Sequence, residues 1–224
     1  MLETRKKAYK GMAMEGFIAS WYAKNTAKDL TDIKGCARRV GDHLIAGSRV
    51  LEVAPGPGYL AIELARLGPY EIAGLDISRS FVRIAAENAA KAGVTVDFRH
   101  GDAASMPFAA DAFDFIVCRA AFKNFAEPYT ALDEMHRVLR SGGQALIVDM
   151  RNDASDADID NQVRDMKLGR IDALLTRGIF KYALRRRAYS KEDFACMVAQ
   201  TPFRSCTIVD RSIGMEVWLR KGTV

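Results

Sequence analysis

Apolar positions along this chain alternate between two rhythms. Leu30, Ile33, Ala37, Val40, Leu44 and Ile45 keep a three-to-four spacing, which predicts an amphipathic helix over 29–45. Arg49 to Ala54 then loses that period and predicts a short buried strand running into the turn Pro55-Gly56-Pro57-Gly58. Leu60 to Leu67 reads as a helix stopped by Gly68-Pro69, and Glu71 to Leu75 as a second strand ending at Asp76. Arg79 to Ala92 is the next helix, with Ser78 as N-cap and Gly93 as terminator. Val94–Phe98 and Phe113–Cys118 follow as strands, then a helix over 128–140 ended by Gly142-Gly143, then a strand over 144–148. The rhythm breaks after Asp149 for about 40 residues and resumes at Ser190, whose spacing to Asp193 resembles a capping box. Strand-like runs at 203–209 and 215–219 close the chain as a hairpin, and residues 1–28 carry one or two short helices.

Such alternation means a parallel sheet with helices on both faces and right-handed crossovers. The 224 residues are 49% hydrophobic and 27% charged, which suits a globular fold and excludes a disordered or collagen-like one. No apolar run approaches the roughly 20 residues of a membrane span. Glu15 interrupts the N-terminal apolar segment, which therefore lacks the core of a signal peptide. Cys36, Cys118, Cys196 and Cys206 show no C-x-x-C spacing, so reduced thiols in a cytoplasmic protein are expected and a metal site is not.

Charge is concentrated. Residues 164–187 hold eight basic side chains against Asp165 and Asp172, giving that window +6 of a net +5, so the remainder is −1. Val163, Met166, Ile171, Leu174, Leu175 and Phe180 approximate one apolar stripe through it. A docked helical cap with a solvated basic face and an anion-recognising lid are both compatible with that pattern.

The sharpest motif is Glu52-Val-Ala54-Pro-Gly56-Pro-Gly58 followed 20 residues after Gly56 by Asp76. Glycines between strand and helix admit close backbone approach to a ligand, and an acid at the end of the next strand suits two ribose hydroxyls. Gly56 to Ala61 also satisfies G-x-G-x-x-A, so an NAD(P)-dependent oxidoreductase is the competing reading. Against it, Glu52 places negative charge where a pyrophosphate would be repelled and an ammonium or sulfonium favoured. Gly101-Asp102-Ala103 adds a second carboxylate and a free N–H for an adenine edge, and no Tyr-x-x-x-Lys pair occurs.

Taken with Gly74-Leu-Asp-Ile-Ser78, Gly101-Asp-Ala-Ala-Ser-Met-Pro-Phe108, Phe113-Asp-Phe-Ile-Val117 and Arg137-Val-Leu-Arg-Ser-Gly-Gly143, the chain resembles the class I S-adenosylmethionine-dependent methyltransferases of small-molecule type. The resemblance covers about 29–150, and the closing hairpin extends it to the end. It implies an α/β, Rossmann-like, doubly wound seven-stranded sheet in order 3-2-1-4-5-7-6 with one antiparallel strand, N-terminal helices and a helical lid after strand five. A single methyltransferase domain over 1–224 would divide into a helical cap 1–45, a cofactor core 46–150, a lid 151–189 and a closing helix and hairpin 190–224. By the same resemblance Gly56 and Gly58 pass under the methionine part of S-adenosylmethionine, Glu52 organises the loop near its amino group, and Asp76 holds the ribose. Asp102 with the Ala103 backbone would read adenine, while Ile77 and Arg119 join the cofactor set. Ala54 stands where the family has its first loop glycine.

The cofactor brings the electrophile, and the protein must place a nucleophile in line and exclude water, leaving S-adenosylhomocysteine as product. Asp149 is the weak candidate for a base, with a capping or loop role equally open; His43, His100 and His136 are expected to be structural or solvated. Tyr9, Trp21 and Tyr22 either close over the cofactor or pack helices. The strand-four exit Cys118-Arg119-Ala120-Ala121-Phe122 lacks the proline-containing motifs of base methylation, which leaves a small-molecule acceptor. Arg151, Arg185, Arg186 and Arg187 would suit an anionic one, with RNA or protein methylation through the basic lid as alternatives and nucleic acid the less favoured. A non-enzymatic cofactor-binding fold that assembles with a partner is the third hypothesis.

Overall fold

The computed structural model describes residues 10, 14–27, 30–166 and 169–223. Seven strands form one sheet: β1 (Arg49–Val53), β2 (Glu71–Asp76), β3 (Asp97–His100), β4 (Phe113–Arg119), β5 (Leu139–Met150), β6 (Thr207–Arg211) and β7 (Gly214–Arg220). Their order is β3-β2-β1-β4-β5-β7-β6, as the resemblance implied. Strands β1 to β5 pair in parallel, while β7 runs antiparallel to both β5 and β6. The helices are α1 (Gly16–Thr26), α2 (Thr31–Gly41), α3 (Tyr59–Leu67), α4 (Arg79–Ala92), α5 (Pro128–Val138), α6 (Asp156–Asp165), α7 (Arg170–Gly178) and α8 (Lys191–Ala199).

Successive residues of the central strands feed two different cores. Val50, Ile72, Phe115, Val117 and Leu146 pack against α2 and α3, whereas Leu51, Leu75, Ile116, Cys118 and Ile147 pack against α5 and α8. This is why the strands read as continuous apolar runs. Each such side chain, once fully buried, contributes about 1.5–3 kcal/mol, so the sheet is a rigid platform for whatever stands at its edge.

Several boundaries differ from the sequence reading. The helix from Pro128 stops at Val138, and Leu139 to Gly143 belong to β5, with Leu139 in register with Phe113 of β4. The Gly142 N–H donates to the Lys221 carbonyl, and the Lys221 N–H donates to the Gly143 carbonyl. Lateral pairing thus outweighs a helical spacing that could have continued. β3 begins at Asp97, where pairing with Ala73 of β2 starts, and β6 begins at Thr207, after Phe203 has turned into the core. Ser78 and Ser190 cap α4 and α8 as expected, the second with a complete capping box.

The N-terminal segment is anchored at two places on the carboxyl edge of the sheet. Lys10 donates from its backbone to the Asn124 carbonyl at 2.6 Å and from Nζ to the Tyr189 hydroxyl at 3.1 Å. Glu15 accepts the Arg79 and Ser80 N–H groups at 3.0 and 3.1 Å, and Ser78 Oγ donates to the Met14 carbonyl. Burial works against the Glu15 charge, but the hydrogen bonds from the Ser80, Ser78 and Arg79 region outweigh it and hold its pKa below the usual range. An acid from a distant segment therefore serves the orphan amides at the start of α4.

Candidate active site

Between β1 and β4 the strand order reverses, and the chains leaving these strands diverge to opposite sides of the sheet. Ligands of open α/β sheets settle in the crevice outside such strand ends. Both exits carry an alanine in the left-handed region, Ala54 at φ +57° and Ala120 at φ +58°. A left-handed alanine costs about 1–2 kcal/mol relative to its relaxed state, a strain that tends to collect at functional edges. Ala54→Gly is therefore expected to raise stability by up to about 1 kcal/mol in urea denaturation, the gain being reduced by the greater entropy of the unfolded chain. A loss of stability would show that the loop draws its order from the alanine side chain.

The glycines divide their work. A Cβ on Gly58 (φ +80°) would lie 2.8 Å from both Ala85 Cβ and Phe98 Cζ, so this glycine lets the loop lie against α4 and β3. A Cβ on Gly56 (φ +54°) would meet nothing within 4 Å, so the backbone there faces open space. Asn88 donates to the Pro57 carbonyl at 2.9 Å and steadies the turn.

Asp76 lies buried at the end of β2, with Oδ2 accepting the Gly56 N–H at 2.9 Å and Oδ1 the Ser78 N–H at 2.8 Å. One acceptor direction remains on each oxygen, which matches a pair of vicinal hydroxyls. Burial, the largest influence, raises its pKa, and the two backbone hydrogen bonds oppose the rise. The exposed Ile77 side chain stands beside it. Asp102 accepts the Ala104 N–H at 2.9 Å, and nothing among the described residues accepts the Ala103 N–H.

Glu52 is buried on β1 and accepts the Ala61 N–H at 2.8 Å, capping α3, whose own cap residue is Gly58. Burial pushes its pKa from 4.5 to about 8, against the Ala61 hydrogen bond and the nearby Arg119 charge. Arg119 is half-buried at the end of β4, and its side chain makes no ion pair or hydrogen bond among the described residues. The raised pKa fixes a sign. The folded chain keeps a proton that the unfolded chain has lost, so Glu52 opposes folding increasingly from about pH 4.5 to 8 and by a constant amount above. Glu52→Gln keeps an acceptor for Ala61, so its stability advantage over wild type should widen between pH 5 and pH 8 in denaturant titrations. A gap independent of pH would mean that the carboxyl is ionised throughout.

Asp149 is not open to a substrate. Its Oδ1 accepts Lys123 Nζ and the Met150 N–H, both at 2.8 Å, and its Oδ2 accepts the Lys123 N–H at 2.9 Å. Lys123 Nζ also donates to the Ala120 carbonyl at 2.7 Å, and both side chains are buried. The pair locks the exit of β4 to the end of β5 and holds the crevice wall in place. A lysine in the turn Phe122–Asn124, flanked by aromatic residues, was the available signal for it.

The segment read as a lid carries less free charge than its sequence window implied. Arg177 pairs with Asp160, Lys181 with Asp156 and Asp160, and Arg185 with Asp156, all within 2.7–3.2 Å. Those aspartates lie on α6, just outside the basic window. Arg151 is directed to Asp153, Asp158 and Asp210. Arg186 and Arg187 remain exposed without an ion pair among the described residues. A cleft of about 360 Å³ is lined by Asn152, Lys181, Tyr182, Arg185 and Arg186. The single apolar stripe expected through this region is divided: Val163 is buried, while Met166, Leu174 and Leu175 are exposed. Chain direction changes between α6 and α7, so one spacing cannot run through both.

Tyr22 packs edge-on against Phe81 of α4 at 5.8 Å, Trp21 is exposed, and Tyr9 lies outside the described residues. His43 packs at a tilt against Trp218 at 4.7 Å, and His136 meets Phe203 edge-on at 4.9 Å. Burial, with the Lys221 charge, lowers the His136 pKa. His100 ends β3. The four cysteines are free, and no cluster among the described residues could hold a metal.

Residues 51–147 match the family model described as a methyltransferase domain. A demethylmenaquinone methyltransferase of Deinococcus radiodurans is 33% identical over 156 residues, covering 66% of this chain and 65% of that protein. A phthiotriol/phenolphthiotriol dimycocerosates methyltransferase of Mycobacterium ulcerans is 33% identical over 186 residues, covering 80% of this chain and 65% of that protein. The chain thus spans just under two thirds of the length of these relatives. Among solved structures, an S-adenosylmethionine-dependent methyltransferase from Methanococcus maripaludis superposes with a TM-score of 0.72 at 20% identity, covering 96% of this chain and 97% of that one.

Proposed function

We propose that this chain, which belongs to the class I S-adenosylmethionine-dependent methyltransferases, transfers the cofactor's methyl group to a small-molecule acceptor. The observation that carries the reading is Asp76, buried at the strand end and tied to the Gly56 amide at 2.9 Å, with one acceptor direction left on each oxygen. The open space beside Gly56 fits a ligand that the backbone must approach closely.

Gly56, Gly58 and the left-handed Ala54 would cradle the methionine part, Asp76 would hold the ribose, and Asp102 with the Ala103 N–H would take the adenine edge beside Ile77. Glu52 would fix the loop and Arg119 would add the positive charge that a carboxylate needs. The bound cofactor supplies a methyl group on a sulfonium, an electrophile with a good leaving group. The protein's own part is to bind, orient and exclude water. With Asp149 committed to Lys123, the site suits an acceptor whose nucleophile is already deprotonated or electron-rich.

The relatives named for demethylmenaquinone and ubiquinone biosynthesis support an acceptor among small organic molecules. An anionic group on it would find Arg186 and Tyr182 in the lid cleft. RNA is less favoured, because Arg177, Lys181 and Arg185 already answer the aspartates of α6. The cap 1–45, core 46–150, lid 151–189 and closing hairpin would act as one domain. No described helix is long and apolar enough to cross a membrane, and the free thiols favour a cytoplasmic setting.

Calorimetric titration should show binding of S-adenosylmethionine and S-adenosylhomocysteine and no comparable binding of NAD or NADP. Labelled methyl should then pass to a small-molecule fraction of cell extract. Nicotinamide binding without cofactor heat would establish the oxidoreductase instead, and cofactor binding without transfer would favour a non-enzymatic role.

A further inference from the structure

The helix α7 continues through a π-helical turn (Ile179–Leu184) and a 3-10 turn (Arg185–Arg187), and it is apolar on two faces. Ala173, Phe180 and Leu184 pack inward against Ile159 and Val163 of α6 and Met150 of β5. Leu174, Leu175, Ile179 and Tyr182 lie on another face, the last three following one another at four and three residues, and are 67%, 61%, 50% and 67% exposed. A helix apolar on two sides is ordinarily buried on both, and four large side chains exposed in one stripe exceed what scattered surface residues explain.

Charge indicates what covers this stripe. The lid cations on the inner flank, Arg177, Lys181 and Arg185, are neutralised by Asp156 and Asp160. Among the described residues Arg170 at the start of α7 and Arg186 and Arg187 at the end of the segment make no ion pair; they are exposed, bracket the stripe, and outnumber Asp172, the exposed carboxylate of α7. An apolar face bounded at both ends by unpaired arginines complements a hydrocarbon boundary beneath a layer of anionic headgroups. A second copy of the same face would instead bring like charges together.

We propose that the outer face of α7 and the following π-helical turn docks on an anionic lipid bilayer. Leu174, Leu175, Ile179 and Tyr182 enter the headgroup boundary, and Arg170, Arg186 and Arg187 meet phosphates. The helix lies in the surface and does not span it. None of these residues belongs to the set proposed to hold the cofactor, while Tyr182 and Arg186 also line the cleft proposed for the acceptor's anionic group, so the inference stands without the methyl-transfer reading but shares those two residues with it.

The test is co-sedimentation of the full chain with vesicles of phosphatidylcholine alone and of equal parts phosphatidylcholine and phosphatidylglycerol. The wild type should pellet with the anionic vesicles and remain in solution with the neutral ones. Leu174→Ser with Leu175→Ser and Ile179→Ser should lose binding roughly tenfold or more, and so should Arg170→Glu with Arg187→Glu. Calorimetric cofactor binding equal to wild type shows that the apolar variant is folded. Should it not fold, the charge variant and added salt, which should release the protein, still decide the matter. Wild type that ignores anionic vesicles, or binds neutral ones equally, overturns the proposal. So does a wild-type dimer in light scattering that the serine variant converts to monomer, because a second copy then covers the face. Loss of cofactor binding in wild type with vesicle binding intact would count against the methyltransferase reading alone.

Discussion

Lys123→Met is expected to destabilise the protein by about 3–5 kcal/mol, because it leaves the buried Asp149 carboxylate without its cation. The methionine stem fills much of the lysine volume, so the loss is mainly electrostatic rather than a packing defect. Asp149 would retain the Lys123 and Met150 backbone N–H groups, which keeps the cost near the lower end. Combining Lys123→Met with Asp149→Asn should recover much of the loss, since the neutral amide removes the unpaired charge and keeps an oxygen acceptor for the backbone N–H groups that Asp149 serves. Urea denaturation of the two single variants and the double variant gives the coupling directly. A Lys123→Met variant within about 0.5 kcal/mol of wild type would mean that water reaches the pair and screens it. The two residues fasten the ends of neighbouring strands, so the single variant should also weaken cofactor affinity, which the double variant should largely restore.

Asp76→Ala is expected to weaken S-adenosylmethionine binding by about 1.5–4 kcal/mol, roughly 10- to 1000-fold. The substitution removes both charged acceptors and also frees the Gly56 and Ser78 amides, so the glycine loop loses its tie to β2. Asp76→Asn separates these effects. It keeps one acceptor oxygen but turns the other position into a donor that opposes a backbone N–H, so an intermediate loss is expected. Calorimetric affinities, with thermal melting of the unliganded variants, distinguish cofactor contact from loop support. Unchanged affinity in a folded Asp76→Ala variant would place the ribose elsewhere.

The strand-end crevice proposed for the cofactor was legible because its determinants are local. Buried parallel strands need apolar residues on both faces, so β1, β2 and β4 stand out as runs. Gly58 fills a left-handed position against Ala85 and Phe98, and Ser78 caps α4 from three residues away. Asp76 and Asp102 follow from their places at, and just after, strand ends. Boundaries failed where lateral pairing prevailed over periodicity, as at Leu139 to Gly143.

The succession of strands and helices, the glycine loop and the acids at the strand ends could be read from the residues alone, because each depends on neighbours a few residues away. Which charges meet depended on folding. It joined Lys123 to Asp149, set Glu15 over the start of α4, and placed Asp156 and Asp160 against the lid arginines. It also decided that Leu174 and Ile179 stay exposed while Phe180 packs inward. Periodicity shows which side of a helix is apolar, but only packing determines what covers it. Likewise, a run of arginines counts charges along the chain, whereas their free energy depends on the carboxylates that folding brings within a few ångströms.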